Sequence, residues 1–283
     1  MLASLLIVFR EVIEAGLIVG IVLAATKGVP RRALWVGYGI ASGVAGAVAV
    51  AAFAGEIAGL FAGAGQELFN AGILIFAVVM LTWHNVWMAG HGQAIAREVR
   101  GIGAAVAGGG RPLAALAFVV GVAVLREGAE VVLFLYGIAS QGGTSAAAML
   151  AGGTLGVLAG AALTAAMYFG LLAIPAHRLF SVTSGLITLL AAGMAAQAVL
   201  YLQQGGYLLI LTQTLWDSSW LLPESGPGWR GLLGRLLHTL IGYTDAPNGA
   251  QLLAYLGVIA GIVLLTRWEK SRREHPAAIT TPA

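Results

Sequence analysis

Apolar residues fill seven stretches of the chain, at residues 2–25, 33–55, 68–88, 113–138, 147–174, 180–202 and 251–267, and most polar residues gather between them. An α-helix rises ~1.5 Å per residue, so each stretch is long enough to cross a hydrocarbon core ~30 Å thick. The pattern predicts an all-α, polytopic membrane protein with seven transmembrane helices. Composition agrees: 59% of the 283 residues are hydrophobic and only 10% are charged, a balance foreign to soluble domains. The 41 glycines suit close helix packing in lipid. Cysteine is absent, which excludes disulfides and thiolate metal chemistry. The first apolar run starts at Met1 with no basic segment before it and no small-residue cleavage pattern after it, so a retained helix is expected.

The connections differ in charge. Lys27, Arg31 and Arg32, then Arg97, Arg100 and Arg111, then Arg178, then Arg267, Lys270, Arg272 and Arg273 fall in every second connection and so on one side of the membrane. The opposite set holds only Arg230 and Arg235. The positive-inside rule therefore predicts an extracytoplasmic N-terminus and a cytoplasmic C-terminus in an inner or plasma membrane. The expected divisions are a first repeat at 1–88, a cytoplasmic linker at 89–112, a second repeat at 113–202, an extracytoplasmic loop at 203–250, a seventh helix at 251–267 and a tail at 268–283. Within the loop, "GWRGLLGRLLHTLIGY" suits an amphipathic interfacial helix, with an ordinary lid or spacer as the alternative. Trp35, Trp83, Trp87 and Trp268 fall near span ends and read as interfacial anchors.

Two of the apolar stretches contain charges at their centres. "FREVIEAGL" places Arg10, Glu11 and Glu14 in the first span, and "LREGAEVVL" places Arg126, Glu127 and Glu130 in the fourth, 116 residues later. At i,i+3 and i,i+4 spacing, each R-E-x-x-E trio shares roughly one helix face. Six such groups turned to lipid would cost on the order of 15–20 kcal/mol, so both faces must look inward. With three spans separating the copies, the motif helices run in opposite directions. Residues 1–88 and 113–202 then form two inverted three-helix repeats plus one extra helix, a plan that places transport sites at the midplane.

Four carboxylates against two guanidinium groups leave a surplus of negative charge, which calls for a cation. Oxygen ligands suit hard or intermediate ions, and ligand hardness favours Fe(III). Arg10 and Arg126 would balance charge and hold the carboxylates. Three other readings use the same residues: buried ion pairs that only fix helix register, a proton relay or a transporter of other divalent ions such as Mn or Pb, and an intramembrane metalloenzyme. His84 in the third span and Gln197 in the sixth could complete the coordination or line the path, or simply hydrogen-bond a neighbouring helix. Glu56, Glu67, Asp217, Glu224 and Asp245 lie on the outer side and could form a cation-attracting vestibule. His91, His177, His238 and His275 fall in loops or the tail, where solvation is the default. No phosphate loop or hydrolase motif is present, and nothing suggests nucleic acid.

The doubled motif resembles the oxidase-dependent iron permease family, the fungal high-affinity iron permeases and their bacterial relatives. The likeness is carried by "REVIE" and "REGAE" and supported by "LTWHNVWM", "AAQAVLYLQQGG" and "IGYTDAPNGAQLLAY". It implies permeation of iron, with Glu11, Glu14, Glu127 and Glu130 as ligands, no permanently bound cofactor, and an extracytoplasmic oxidase or peroxidase-type partner that converts Fe(II) to Fe(III). Asn70 and Ala71 in "QELFNAG" depart from a glutamate-glycine pair frequent in relatives, and His84 and Asn85 stand where many relatives are more apolar.

Overall fold

Eight helices and no strand occur among the residues that the computed structural model describes, namely 1–60, 66–140, 145–171, 176–224 and 228–274. They are α1 (Leu2–Ala25), α2 (Arg32–Leu60), α3 (Gln66–Ala107), α4 (Ala114–Ser140), α5 (Ala146–Tyr168), α6 (Ala176–Gln204), α7 (Gly228–Ile241) and α8 (Gly249–Glu274). Five of them, α2, α3, α5, α6 and α8, are long and apolar enough to cross a membrane. At 24 and 27 residues, α1 and α4 match these in length; what sets them apart is the charged trio at the centre of each. The end of the predicted fifth span, residues 172–174, and His275 lie outside the described residues.

The third helix does not end at residue 88, where its predicted span ends. α3 continues to Ala107, because Ala, Gln, Glu and Arg sustain a helix and Val99 and Val106 are buried against Val22 of α1, Val36 of α2 and Leu116 and Val120 of α4. The helix ends where Gly109 adopts φ 78°, with Gly108 and Gly110 donating back to the carbonyls of Ala104 and Ala105.

Helix pairing crosses between the two halves. α1 packs on α5, α2 on α4 and α3 on α6. In α5, Gly156 lies against Leu5 and Val8, and Gly160 against Phe9 and Val12. In α2, Gly43 lies in the same way against Gly121 and Val124 of α4, and Ala47 meets Gly128. Each charged helix is thus gripped by a small-residue stripe spaced every fourth residue on a helix of the other half. A Cβ on Gly156 would stand 2.7 Å from the Leu5 carbonyl oxygen and 2.9 Å from Val8 Cβ, whereas one on Gly153 meets only Val8 Cγ2 at 3.9 Å. Gly156→Ala is therefore expected to cost ~1–3 kcal/mol by overpacking, while Gly153→Ala is nearly neutral. Thermal unfolding of the two variants in detergent, followed by size-exclusion, compares them directly; equal behaviour would remove the packing argument.

Two apolar clusters bracket the charged level. One joins Ala3 and Ile7 of α1, Leu74, Ala77 and Leu81 of α3, and Phe134 and Ile138 of α4. The other joins Val22, Val99, Val106, Leu116 and Val120. Chain order runs from the first cluster to the second in α1 and α3, and from the second to the first in α4. α1 and α4 therefore traverse the bundle in opposite senses.

The described residues of 205–248 fold into a cap. Its last residues form a capping box for α8: Gln251 N–H donates to Asn248 Oδ1 and Asn248 N–H to Gln251 Oε1, while Asn248 Nδ2 reaches Gln203 of α6. Gly242, at φ 68°, abuts Gly193 of α6 so closely that a Cβ on Gly193 would stand 2.5 Å from its Cα. Glu224 and Asp245 each accept the other's backbone N–H at 3.0 Å, so these two acids hold the cap together. Glu56, Glu67 and Asp217 are exposed.

His238 at the end of α7 donates from Nδ1 to the Tyr243 carbonyl at 2.8 Å and lies 3.6 Å from Glu224 Oε1. The Glu224 carboxylate raises its pKa above the ordinary 6.5. Since the folded cap holds this proton more tightly, the stabilisation is complete below about pH 6.5 and is lost as pH rises through the raised value. Amide exchange in residues 228–243, corrected for intrinsic rates, is expected to be slower at about pH 6 than at about pH 8. The same pH difference in His238→Gln would refute this origin.

Candidate metal centre

The i,i+4 spacing of Arg10 and Glu14 lets one guanidinium serve two carboxylates. Arg10 Nη1 lies 2.8 Å from Glu11 Oε1 and Nη2 lies 2.7 Å from Glu14 Oε1, with all three residues at most 4% exposed. The second motif is looser. Arg126 Nε is 3.2 Å from Glu130 Oε1 and 4.0 Å from Glu127 Oε1, its side chain is 37% exposed, and its guanidinium lies 4.4 Å from the centre of the Trp87 ring. Trp87 therefore carries a cation of the site, although its sequence position suggested an interfacial anchor. Trp83 and Trp268 are exposed, whereas Trp35 packs against an apolar cluster.

α3 brings His84 between the motifs. Its Nε2 is 3.3 Å from Glu14 Oε2 on α1, and its Nδ1 contacts Glu130 Oε2 on α4. Next to it, Asn85 donates to the Ser184 carbonyl and Thr188 Oγ1 of α6, both at 3.3 Å, which fixes this part of α3 against α6. Glu11, His84, Glu127 and Glu130 each offer one ligand atom, and these atoms lie within 4.8 Å of one another. Ligands on opposite sides of an ion bound at ~2.1 Å stand ~4.2 Å apart, so a contraction of about half an ångström would make this a coordination shell. Glu11 Oε2 and Glu127 Oε2 are buried without a hydrogen-bond partner. Buried carboxylate oxygens without partners are costly unless a cation meets them.

Five of the six motif residues and His84 thus share one buried level, with the partly exposed Arg126 at its border. Gln197 on α6 is half-buried, and no described hydrogen bond or ion pair joins it to the group. The sequence reading took Trp87 for an interfacial anchor and missed its contact with Arg126, although its place three residues from His84 puts both on one face of α3.

Residues 1–267 match the iron permease FTR1 family. The chain belongs to this family. Among curated proteins, it is 31% identical over 261 residues to the ferrous iron permease EfeU of Yersinia pestis, covering 90% of this chain and 89% of that one. It is 29% identical over 263 residues to the proteins of the same name from Escherichia coli O157:H7 and Shigella sonnei, covering 90% of this chain and 91% of each relative. No solved structure matches. The permease is accordingly a multi-pass membrane transporter and not an enzyme, which disposes of the metalloenzyme alternative.

Proposed function

We propose that this permease imports iron across the cytoplasmic membrane through a midplane site whose ligands are Glu11, Glu14, Glu127 and Glu130. The observation that carries the reading is the convergence of these four carboxylates from two oppositely running helices, with an oxygen of Glu11 and one of Glu127 left without partners. Four carboxylates and two guanidinium groups leave two negative charges in a dry interior, a strong attraction for a multivalent cation and none for an anion. Arg10 and Arg126 limit the mutual repulsion of the carboxylates while no ion is bound.

In this reading α1 and α4 span the membrane like their five more apolar neighbours, making seven spans. The crossed pairing of α1 with α5 and α2 with α4, with matching glycine contacts, supports two inverted repeats related through the site. Loop charge places the N-terminus outside, so the apolar cluster around Ile7 and Phe134 seals the outer side and the cluster around Val22 and Val120 the inner side. Transport opens these seals in turn. Iron reaches the outer face as Fe(II), the form in the names of the relatives; where an oxidase or peroxidase-type partner acts there, Fe(III) enters the glutamates.

Purified protein reconstituted into liposomes tests this. Iron-55 offered outside, either as Fe(II) kept reduced with ascorbate or as Fe(III) citrate, should enter saturably. Influx no greater than in protein-free liposomes in both arms would overturn the proposal. A pH-sensitive dye inside the same vesicles distinguishes the proton relay, which would acidify them without iron.

A further inference from the structure

We propose that His84 is both a ligand of the transported ion and the clasp that holds the two motif helices together when no ion is bound, and that its imidazole gives the site its preference for iron over Ca2+ and Mg2+. The inference rests on the carboxylate site proposed above and adds to it a donor of different chemistry.

Three observations carry it. First, the two ring nitrogens face carboxylates on different helices, Glu14 on α1 and Glu130 on α4, so one side chain from α3 ties the halves to each other. Second, His84 is 2% exposed and offers one ligand atom that lies within 4.8 Å of one from each of Glu11, Glu127 and Glu130, and Glu11 and Glu127 each also have a buried Oε2 without a hydrogen-bond partner. An ion held by Glu11, Glu127, Glu130 and His84 would give each of those oxygens a partner. Third, Asn85 anchors the adjoining backbone to α6, so the ring is presented from a fixed strut and exchanges partners by a small rotation.

The chemistry then separates ions. Carboxylates alone suit Ca2+ and Mg2+ as well as iron, whereas an imidazole nitrogen favours iron and other transition metals and contributes little to alkaline-earth ions. Entry of the ion costs the clasp, because a ring nitrogen of His84 gives up its proton to water as it and the carboxylate of Glu130 turn from each other to the metal. Ion occupancy is thereby coupled to the separation of α1 and α4.

The test uses Mn(II) as a spectroscopic probe on the detergent-purified full chain, with iron-55 uptake in liposomes beside it. Pulsed EPR of Mn(II) bound to wild-type protein should show nitrogen coupling that changes isotope when histidine is supplied as 15N. His84→Gln should keep Mn(II) binding and lose the coupling. Its iron affinity should fall by at least the ~10- to 100-fold that changes around a metal commonly cause, with inhibition by Ca2+ nearly unchanged. Bound Mn(II) without nitrogen coupling in the wild type, or equal losses for iron and Ca2+ in His84→Gln, would show a purely structural histidine and overturn the inference, leaving the carboxylate site standing. A wild-type spectrum without the coupling overturns the inference even if the variant fails to fold. Absence of Mn(II) binding by the wild type, or full Mn(II) binding by Glu127→Gln, would instead strike the carboxylate reading itself and this inference with it.

Discussion

Glu127→Gln is expected to abolish iron transport while making the iron-free protein more stable. Glu127 is 4% exposed, its nearest cation stands 4.0 Å away, and its Oε2 has no partner. It also lies within 4.8 Å of ligand atoms of Glu11 and Glu130. Two like charges at that distance or closer repel by about 3.5 kcal/mol or more at an effective dielectric constant of about 20. A carboxamide has the same shape, removes one charge and can donate to its carboxylate neighbours. The iron-free bundle therefore gains stability, but the ion loses a ligand. Transport should drop by more than the ~10- to 100-fold associated with disturbing a ligand's surroundings. In thermal unfolding, iron at 100 times Kd should stabilise the wild type by ~2.7 kcal/mol and leave Glu127→Gln unmoved. A variant that is less stable than the wild type without iron, or that transports as well as it does, contradicts this account. Such opposition of stability and activity is the mark of a site kept under strain for its ligand.

The sequence revealed the parts of this arrangement that depend on local pattern. A span needs only a run of apolar residues, and a trio at i,i+3 and i,i+4 must share a face, so the charged faces of α1 and α4 were legible from residues 10–14 and 126–130 alone. Their opposite course followed from counting the spans between them. What pattern could not give is which neighbour from a third helix enters the space between the motifs. His84 lies in a run of apolar residues much like that around Gln197, and only the packing of α3 puts the former between Glu14 and Glu130 while the latter joins no described bond of the group. The extension of α3 to Ala107 was hidden for a related reason. Its glycines argue for a loop, and the tertiary burial of Val99 and Val106 overrides them. Glu224 and Asp245 likewise look like free surface acids until the fold of the cap pairs them.

Arg10 and Arg126 are identical by motif and should differ sharply in mutation. Arg10 is 1% exposed and joins both Glu11 and Glu14, at 2.8 and 2.7 Å. Arg10→Ala strands Glu11 in a dry interior and leaves Glu14 only His84 at 3.3 Å, which costs ~3–5 kcal/mol for a broken buried pair. Against a net stability of ~5–15 kcal/mol, that is enough to prevent correct assembly. Arg126, by contrast, is 37% exposed and meets Glu130 at 3.2 Å over the face of Trp87. A pair whose cation is this open to solvent is screened and worth about 1 kcal/mol, far less than the fully buried Arg10 pairs, so Arg126→Ala should assemble at near wild-type yield and show its defect in transport rate. Size-exclusion profiles of the two variants from equal amounts of membrane measure the difference, and equal yields would refute it. Arg10→Lys should fall between the extremes, because an ammonium is a point charge that cannot fork to both carboxylates. A triple variant, Arg10→Met with Glu11→Gln and Glu14→Gln, removes the stranded charges along with their partner and should recover assembly. It should not recover iron uptake, because the guanidinium's contribution is to tolerate the carboxylates in the membrane and theirs is to bind the ion.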